Sequence, residues 1–212
     1  MKLQLALDDL DFDDATELIS TVQEFIDIIE VGTPMITRYG MEPVRRYHTE
    51  FPHLEILADT KIMDVGAYVA ALAFEAGADY CTVLSVTDIS TIKGCVEMAA
   101  THGRNVYVDM ICQPDIPARV AELEDIGVCH FGVHTGVDQQ AQGRTPLDDL
   151  SVLTECTKHS MIAVAGGISP TTILSYAKLG PEVIVVGSGI THSENPVTAA
   201  SSMREALHTV SL

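Results

Sequence analysis

Two acids flank one lysine in the stretch ILADTKIMD, residues 56–64, where an apolar run ends. In a β-strand, residues two apart share a side, so Asp59 and Lys61 should face one site while Thr60 faces away. Carboxylates close to a lysine favour its charged form. The spacing therefore predicts that Lys61 acts as an electrostatic stabiliser or an acid, and not as a Schiff-base nucleophile.

Asp64 lies three residues beyond Lys61, in the turn that enters the next helical segment. Two interpretations stay open for it. An aspartate at this place can cap the following helix, or it can reach another site, including one across a subunit contact.

Four more ionisable residues end apolar runs: Asp8, Glu30, Asp109 and His134. Buried acids are costly unless they meet a cation, a proton or water. Two carboxylates that face one pocket, as Glu30 and Asp59 would, raise each other's pKa unless a cation lies between them. Oxygen ligands suit Mg2+, so this pair is a candidate metal site. His134 is the candidate for proton transfer, because an imidazole exchanges a proton near neutral pH.

The elements that must position these residues are short apolar runs separated by segments of helical length, such as 64–76 and 89–100. The runs are LQLAL (3–7), IDIIEV (26–31), LEILA (54–58), YCTVL (80–84), NVYVDMI (105–111), HFGVH (130–134), MIAVA (161–165) and VIVVG (183–187). This alternation is typical of a parallel sheet built from βαβ units. Glycine follows several helical segments, as in FEAGADY, EDIGVCH and AKLGPEV, and marks their ends.

Eight units in 212 residues predict one domain, residues 1–212, folded as a (β/α)8 TIM barrel of the α/β class. An open doubly wound sheet is the alternative, although no G-x-G-x-x-G follows the first run. In a barrel, the chemistry should lie at the carboxyl ends of the strands.

Two glycine-rich stretches follow the last two runs, AVAGGIS (163–169) and VVGSGIT (185–191). Loops at these places in (β/α)8 barrels commonly hold a phosphate through backbone N–H groups. Gly166, Gly167, Gly187 and Ser188 are the predicted phosphate-binding residues, and a phosphorylated substrate is expected.

Composition limits the partners. The chain has 30 acidic residues against 12 Lys and Arg, a net charge of −18, which argues against nucleic acid or an anionic membrane as a partner. No apolar run approaches the roughly 20 residues of a membrane helix, and MKLQLAL is too short for a signal peptide, so a cytoplasmic location is expected. Five cysteines without a C-x-x-C pair fit reduced thiols better than disulfides or zinc.

Together these motifs resemble the orotidine 5'-phosphate decarboxylase suprafamily, whose D-x-K-x-x-D motif matches ADTKIMD. The resemblance is closer to the branch that pairs 3-hexulose-6-phosphate synthase with 3-keto-L-gulonate-6-phosphate decarboxylase. Counterparts occur in order along essentially the whole chain: LQLALD, IDIIEVGTP, LADTKIMD, GADYCTVL, VDMI, VHTGVDQQA, VAGGIS and VVGSGIT.

The resemblance implies roles for the candidate residues. Glu30 and Asp59 would bind Mg2+, while Asp8 and Lys61 would lie beside the substrate. Asp64 would enter the site of a neighbouring subunit, which implies a homodimer with active sites at its interface. The glycine stretches would hold phosphate, and His134 would transfer a proton.

Both enzymes of this branch pass through an enediolate. The synthase makes it by deprotonating D-ribulose 5-phosphate and adds it to formaldehyde. The decarboxylase makes it by loss of CO2. The decarboxylase has Glu where this chain has Asp109, and Arg where it has Val137. HTGVDQQA also resembles the synthase's H-A-G-L-D-x-Q-A, so formaldehyde condensation is expected and decarboxylation is the alternative. Ser188 also replaces an arginine that contacts phosphate in the decarboxylase.

Two other readings fit less well. A ribulose-phosphate epimerase needs paired His and Asp at strand ends, whereas the second and third strands offer Glu30 and Asp59. A non-catalytic phosphate-binding barrel would not need Lys61 and His134 together with a metal pair.

Overall fold

The eight apolar runs form the strands of the computed structural model, which describes residues 1–210. The strands are β1 (Lys2–Leu7), β2 (Ile28–Val31), β3 (Glu55–Ile62), β4 (Tyr80–Leu84), β5 (Asn105–Asp109), β6 (His130–His134), β7 (Met161–Ala165) and β8 (Val183–Val186). They pair in chain order, all in parallel, and β8 closes on β1. The predicted TIM barrel is confirmed and the open sheet is wrong. The predicted domain extends to residue 212, and its last two residues lie outside the described range.

Helices cover the outside of the barrel. They are α1 (Phe12–Val22), α2 (Thr33–Tyr39), α3 (Glu42–Glu50), α4 (Gly66–Glu75), α5 (Ile89–His102), α6 (Ile116–Glu124), α7 (Val137–Gln140), α8 (Leu147–Cys156), α9 (Ile173–Ala177), α10 (Ser188–Thr191) and α11 (Pro196–Val210). Three connections, after β2, β6 and β8, contain two helices each. Within residues 1–210, no helix is both long and apolar enough to cross a membrane.

The glycines that were predicted to end helices do so. Gly77, Gly127 and Gly180 follow α4, α6 and α9, with φ values of 103°, 91° and 77°. These left-handed values cost glycine little and other residues more. Each therefore allows the chain to turn into the strand that follows.

Besides β8, which ends one residue early at Val186, two strands end at residues other than those predicted. The run at 54–58 stops at the first polar residue, but β3 continues to Ile62, which pairs with Val83 beyond a register shift. The run at 105–111 is too long, because β5 ends at Asp109, whose carboxylate accepts a hydrogen bond from the Ile111 N–H at 2.9 Å. Both differences lie where a strand enters the candidate site.

The barrel interior has two layers. Toward the amino ends of the strands, an aromatic plug of Tyr80, Tyr107 and His130 fills the centre, with ring centroids 4.9–5.9 Å apart. Nearer the carboxyl ends, inward positions carry small residues, among them Ala6, Gly132 and Ala163. Small residues leave room for a cavity above the plug that opens at the carboxyl ends of the strands.

Candidate active site

The cavity has a volume of about 790 Å³ and brings together nearly all of the predicted site residues. Its walls include Asp8, Glu30, Asp59, Lys61, Asp109, His134, Gly166, Gly167, Gly187 and Ser188. Asp64 is the exception, since it does not line this cavity in the described chain. The predicted convergence of strand ends on one site is therefore present for ten of the eleven residues.

Asp59 is fixed by three donors. Its Oδ1 accepts a hydrogen bond from the Thr82 hydroxyl at 2.7 Å. Its Oδ2 accepts one from the Thr33 hydroxyl at 2.8 Å and another from the Lys61 ammonium. A carboxylate oxygen has two lone-pair sites, so Oδ1 keeps one for a further partner. Asp59 is buried, and these contacts hold its orientation toward the cavity.

Lys61 reaches Asp59 from an unusual backbone conformation. Its φ is 42°, in the left-handed region, and it lies within the register shift between β3 and β4. The Lys61 N–H donates to the Thr82 hydroxyl, while the Thr60 hydroxyl turns to the Thr82 carbonyl. The predicted meeting of Asp59 and Lys61 is confirmed, but through a distorted strand and not by regular alternation alone.

Lys61 also connects Asp59 to a second acid. Its Nζ lies 3.4 Å from Asp109 Oδ2, and that same oxygen lies 3.0 Å from His134 Nδ1. Burial lowers the pKa of Lys61, but the charges of Asp59 and Asp109 outweigh burial and leave it raised. The side chain therefore stays cationic at neutral pH, as the sequence predicts.

Asp109 and His134 form a hydrogen-bonded pair. Burial lowers the pKa of His134, but the hydrogen bond and charge of Asp109 outweigh it and raise the pKa above its ordinary value. Burial raises the pKa of Asp109, but His134 and Lys61 hold it below its usual range. Because Nδ1 is engaged by Asp109, Nε2 is the ring nitrogen left to exchange a proton with a substrate.

Glu30 is an acid whose pKa the site raises well above its ordinary value. Burial, followed by the charges of Asp59 and Asp8, raises its pKa to about 8. Its Oε2 accepts a hydrogen bond from the Gln4 amide at 2.6 Å. Burial and then Asp59 also raise the pKa of Asp8. This side of the cavity holds carboxyl groups that a cation would allow to ionise.

A pH-dependent stability follows from Glu30. An unfolded glutamate with the ordinary pKa of 4.5 loses its proton before folded Glu30 does, so the folded state binds more protons between about pH 4.5 and pH 8. We expect the free energy of unfolding of the metal-free protein to fall as pH rises through this window. Urea titrations of the wild type and Glu30→Gln between pH 4.5 and pH 8 would test this prediction. The free energy of unfolding of the variant should fall less across this window, because glutamine does not titrate. Parallel curves for the two proteins would contradict the assignment.

Glu30 and Asp59 could together hold a divalent metal ion. Among residues 1–210, no three His, Cys, Asp or Glu side chains gather into a metal cage of their own. Mg2+ commonly binds through one or two carboxylates and keeps several waters, so a two-carboxylate site fits this ion. The raised pKa of Glu30 is consistent with a position adapted to a cation.

The two glycine stretches approach closely on one side of the cavity. Gly166 and Gly167 have φ values of 124° and 65°, and a Cβ at Gly166 would come within 2.6 Å of the Thr135 carbonyl oxygen. Gly187 directly precedes α10, and a Cβ there would lie 3.9 Å from Asp8 Oδ2. A side chain at Gly166 would clash with the Thr135 backbone, whereas one at Gly187 would make only ordinary contacts, so at Gly187 the bare backbone serves to leave room for an anion to approach.

Asp64 lies outside the cavity, on an apolar surface. The N-cap residue of α4 is Val65, and Asp64 only accepts a hydrogen bond from the Val65 N–H, so the helix-cap interpretation is wrong. Around Asp64, the side chains of Met63, Val65, Tyr68 and Leu72 are 38–67% exposed. We call these four residues the α4 face. Positions 65, 68 and 72 share one side of the helix.

Several residues of the site were missed by the sequence reasoning. Gln4 and Thr82 point inward from β1 and β4, and Thr33 begins α2. A signal was present for the first two, because each is a polar residue at an inward position of an otherwise apolar strand. His192 and Asp9 also line the cavity and pair at 2.7 Å across its rim.

The fold and the site define a class of protein. It is a (β/α)8 barrel whose strand ends carry a lysine between carboxylates, an aspartate-bound histidine and a glycine-lined pocket. Within that class, the chain belongs to the orotidine 5'-phosphate decarboxylase / HUMPS family, whose model matches residues 1–203.

Named relatives place the chain more narrowly within the family. A 3-hexulose-6-phosphate synthase of Staphylococcus haemolyticus is 41% identical over 207 residues, which are 98% of this chain and 99% of the relative. The crystal structure of 3-hexulose-6-phosphate synthase from Salmonella typhimurium matches with a TM-score of 0.98 and 48% identity, over 99% of this chain and all of that one. A 3-keto-L-gulonate-6-phosphate decarboxylase from Vibrio cholerae is more distant, at 26% identity and a TM-score of 0.87 over 99% of this chain and 98% of the other. The chain is an enzyme of this family.

Proposed function

We propose that the protein is a formaldehyde-fixing lyase, which joins formaldehyde to D-ribulose 5-phosphate to give D-arabino-hex-3-ulose 6-phosphate. The observation that carries the proposal is the line of contacts from Asp59 through Lys61 and Asp109 to His134 within one cavity. It is supported by the 41–48% identity to proteins named as synthases for that reaction, against 26% for the decarboxylase.

The reaction needs one proton to leave C1 of the sugar phosphate and one to reach the aldehyde oxygen. His134 Nε2 takes the C1 proton, which leaves an enediolate with its charge beside Lys61. C1 then attacks the formaldehyde carbon, a C–C bond forms, and the aldehyde oxygen takes the proton from His134. Asp109 holds the ring through Nδ1 and stabilises its charged form.

Groups on two sides of the cavity would stabilise the negative charge of the enediolate. The Lys61 ammonium is fixed in place before the reaction, and such preorganised charge often supplies the largest catalytic contribution. Glu30 and Asp59 would hold Mg2+, which would supply Lewis-acid stabilisation of the developing negative charge. Asp8 lies beside them in the cavity wall, close to the glycines.

The phosphate would bind at Gly166, Gly167, Gly187 and Ser188. Ser188 carries no charge, so binding there depends on backbone N–H groups and hydroxyls more than on an ion pair. A dianion at this end of the cavity would also account for glycine at positions 166, 167 and 187.

We also propose that the protein is a homodimer joined through the α4 face. Contiguous exposed apolar residues mark interaction sites, and this surface surrounds a carboxylate that serves no helix of its own chain. A second copy would cover the α4 face and receive Asp64 at its cavity. A two-fold arrangement makes the exchange reciprocal, so each site would draw one acid from its partner.

Two assays on purified protein with Mg2+ test the function. One follows formaldehyde consumption with D-ribulose 5-phosphate, and the other follows CO2 release from 3-keto-L-gulonate 6-phosphate, each with and without EDTA. We expect rapid, EDTA-sensitive loss of formaldehyde and slow release of CO2. The opposite ranking would make the protein a decarboxylase and would mean that Val137 and Asp109 do not discriminate the two reactions.

A further inference from the structure

A glutamine lies in the cavity wall beneath Glu30. Gln4 points inward from the middle of β1 and is only 3% exposed. The next inward residue of the strand is Ala6, which is paired in register with Glu30. A methyl group at that position leaves space for the longer Gln4 side chain to rise past it, and its Nε2 donates to Glu30 Oε2 at 2.6 Å.

The other atom of the same amide has no partner. Gln4 Oε1 is one of two fully buried side-chain polar atoms that lack a hydrogen bond in the part of the chain described. A buried amide oxygen without a donor loses its hydration and gains nothing in return. An amide at this position therefore carries the cost of one unpaired oxygen, and its N–H on Glu30 is the contact that this cost supports.

Glutamine is suited to this place because its amide nitrogen donates. Once Glu30 ionises beside a cation, its carboxylate only accepts, so the nitrogen faces it, and this contact fixes one of the two Glu30 oxygens. The second oxygen of Glu30 is then held for another ligand. Partners of this kind orient metal-binding carboxylates in many proteins, and their loss typically weakens metal binding about 10- to 100-fold.

We propose that Gln4 is a positioning residue for a divalent metal ion: its amide N–H fixes one oxygen of Glu30 and leaves the other oxygen free to bind the metal. The inference rests on the proposed Mg2+ site at Glu30 and Asp59. It adds a third residue, from β1, that touches neither the metal nor the substrate carbons.

Gln4→Met tests the proposal, because methionine has a similar length and volume but cannot donate the hydrogen bond to Glu30. Mn2+ serves as the probe, with the free ion measured by electron paramagnetic resonance during titration of the protein. We expect the dissociation constant for Mn2+ to rise about 10- to 100-fold in the variant. The Mg2+ concentration that gives half-maximal activity should rise in parallel, a change that a purely structural role for Gln4 would not produce.

The chain offers a matched control. The Ser85 hydroxyl is the other buried polar atom without a partner, and Ser85 lies outside the cavity wall. Ser85→Ala removes it without approaching Glu30, so its Mn2+ affinity should equal that of the wild type. Gln4→Leu repeats the test with a different side chain in case Gln4→Met does not fold.

The outcomes separate this inference from the proposed function. A wild type that does not bind Mn2+ would remove the metal site itself, and the role of Gln4 with it. A wild type that binds Mn2+, together with a folded Gln4 variant of equal affinity, would overturn the role of Gln4 alone. Weaker binding in Ser85→Ala as well would attribute the effect to general loosening of the barrel and would also overturn it.

Discussion

Lys61→Ala should lose roughly 100-fold or more of kcat, because a preorganised charge of this kind stabilises the transition state in a water-poor site. The ammonium lies between Asp59 and Asp109, so its removal leaves two buried carboxylates without their shared cation. Steady-state kinetics of formaldehyde consumption measure the loss. Alanine leaves the left-handed backbone at position 61 equally unfavourable, so the comparison isolates the side-chain charge.

Two controls accompany this experiment. Circular dichroism should show the variant folded at 25 °C, which separates lost chemistry from lost structure. Lys93→Ala is the matched control, since Lys93 is exposed on α5 and only approaches Glu97 at 4.0 Å. Its activity should equal that of the wild type. A folded Lys61→Ala protein that retains more than about a tenth of wild-type kcat would remove Lys61 from the proposed mechanism.

Mixed dimers should recover activity that neither parent has. If Asp64 serves the partner's cavity, both Lys61→Ala and Asp64→Ala homodimers have two defective sites. In their heterodimer, one site receives an intact Lys61 from its own chain and an intact Asp64 from the other. Under two-fold symmetry, purified heterodimers should therefore show about half of the wild-type activity.

The control uses two residues that act within one chain. Lys61 and Asp109 meet at 3.4 Å in the same cavity, so a heterodimer of Lys61→Ala with Asp109→Ala has no intact site. It should stay inactive although its subunits pair in the same way. Verified Lys61→Ala/Asp64→Ala heterodimers that stay inactive would show that Asp64 does not act across the interface. A wild type that sediments as a monomer would refute the dimer itself.

The sequence was enough to find those residues whose positions follow from strand ends. Period-two alternation predicted that Asp59 and Lys61 meet, and the carboxyl-end rule of the barrel placed Glu30, Asp109 and His134 around the same cavity. These predictions depend only on parallel neighbouring strands, which apolar runs and glycine stops already indicate.

Other features depend on contacts that no local pattern encodes. The left-handed φ of Lys61 has no sequence signal, because lysine is not a residue that favours it, and the register shift in β3 coincides with a hydrogen bond from the Lys61 N–H to the Thr82 hydroxyl. Gln4 was read as part of an apolar strand, since its pairing with Glu30 exists only once β1 and β2 are in register. The sequence alone could not test whether Asp64 caps α4, because the N-cap residue, Val65, follows from the backbone conformation at the start of the helix.

The aromatic plug of Tyr80, Tyr107 and His130 affects the order in which substrates would enter the proposed enzyme. The plug lies on the amino-end side of the cavity, so substrates would reach the site from the carboxyl ends of the strands. The two substrates would then share one route of entry. In the proposed reaction, the sugar phosphate would fill more of this route than formaldehyde, which is far smaller and could enter after it. Such a geometry favours an ordered sequence in which the sugar phosphate enters first and the longer product leaves by the same way.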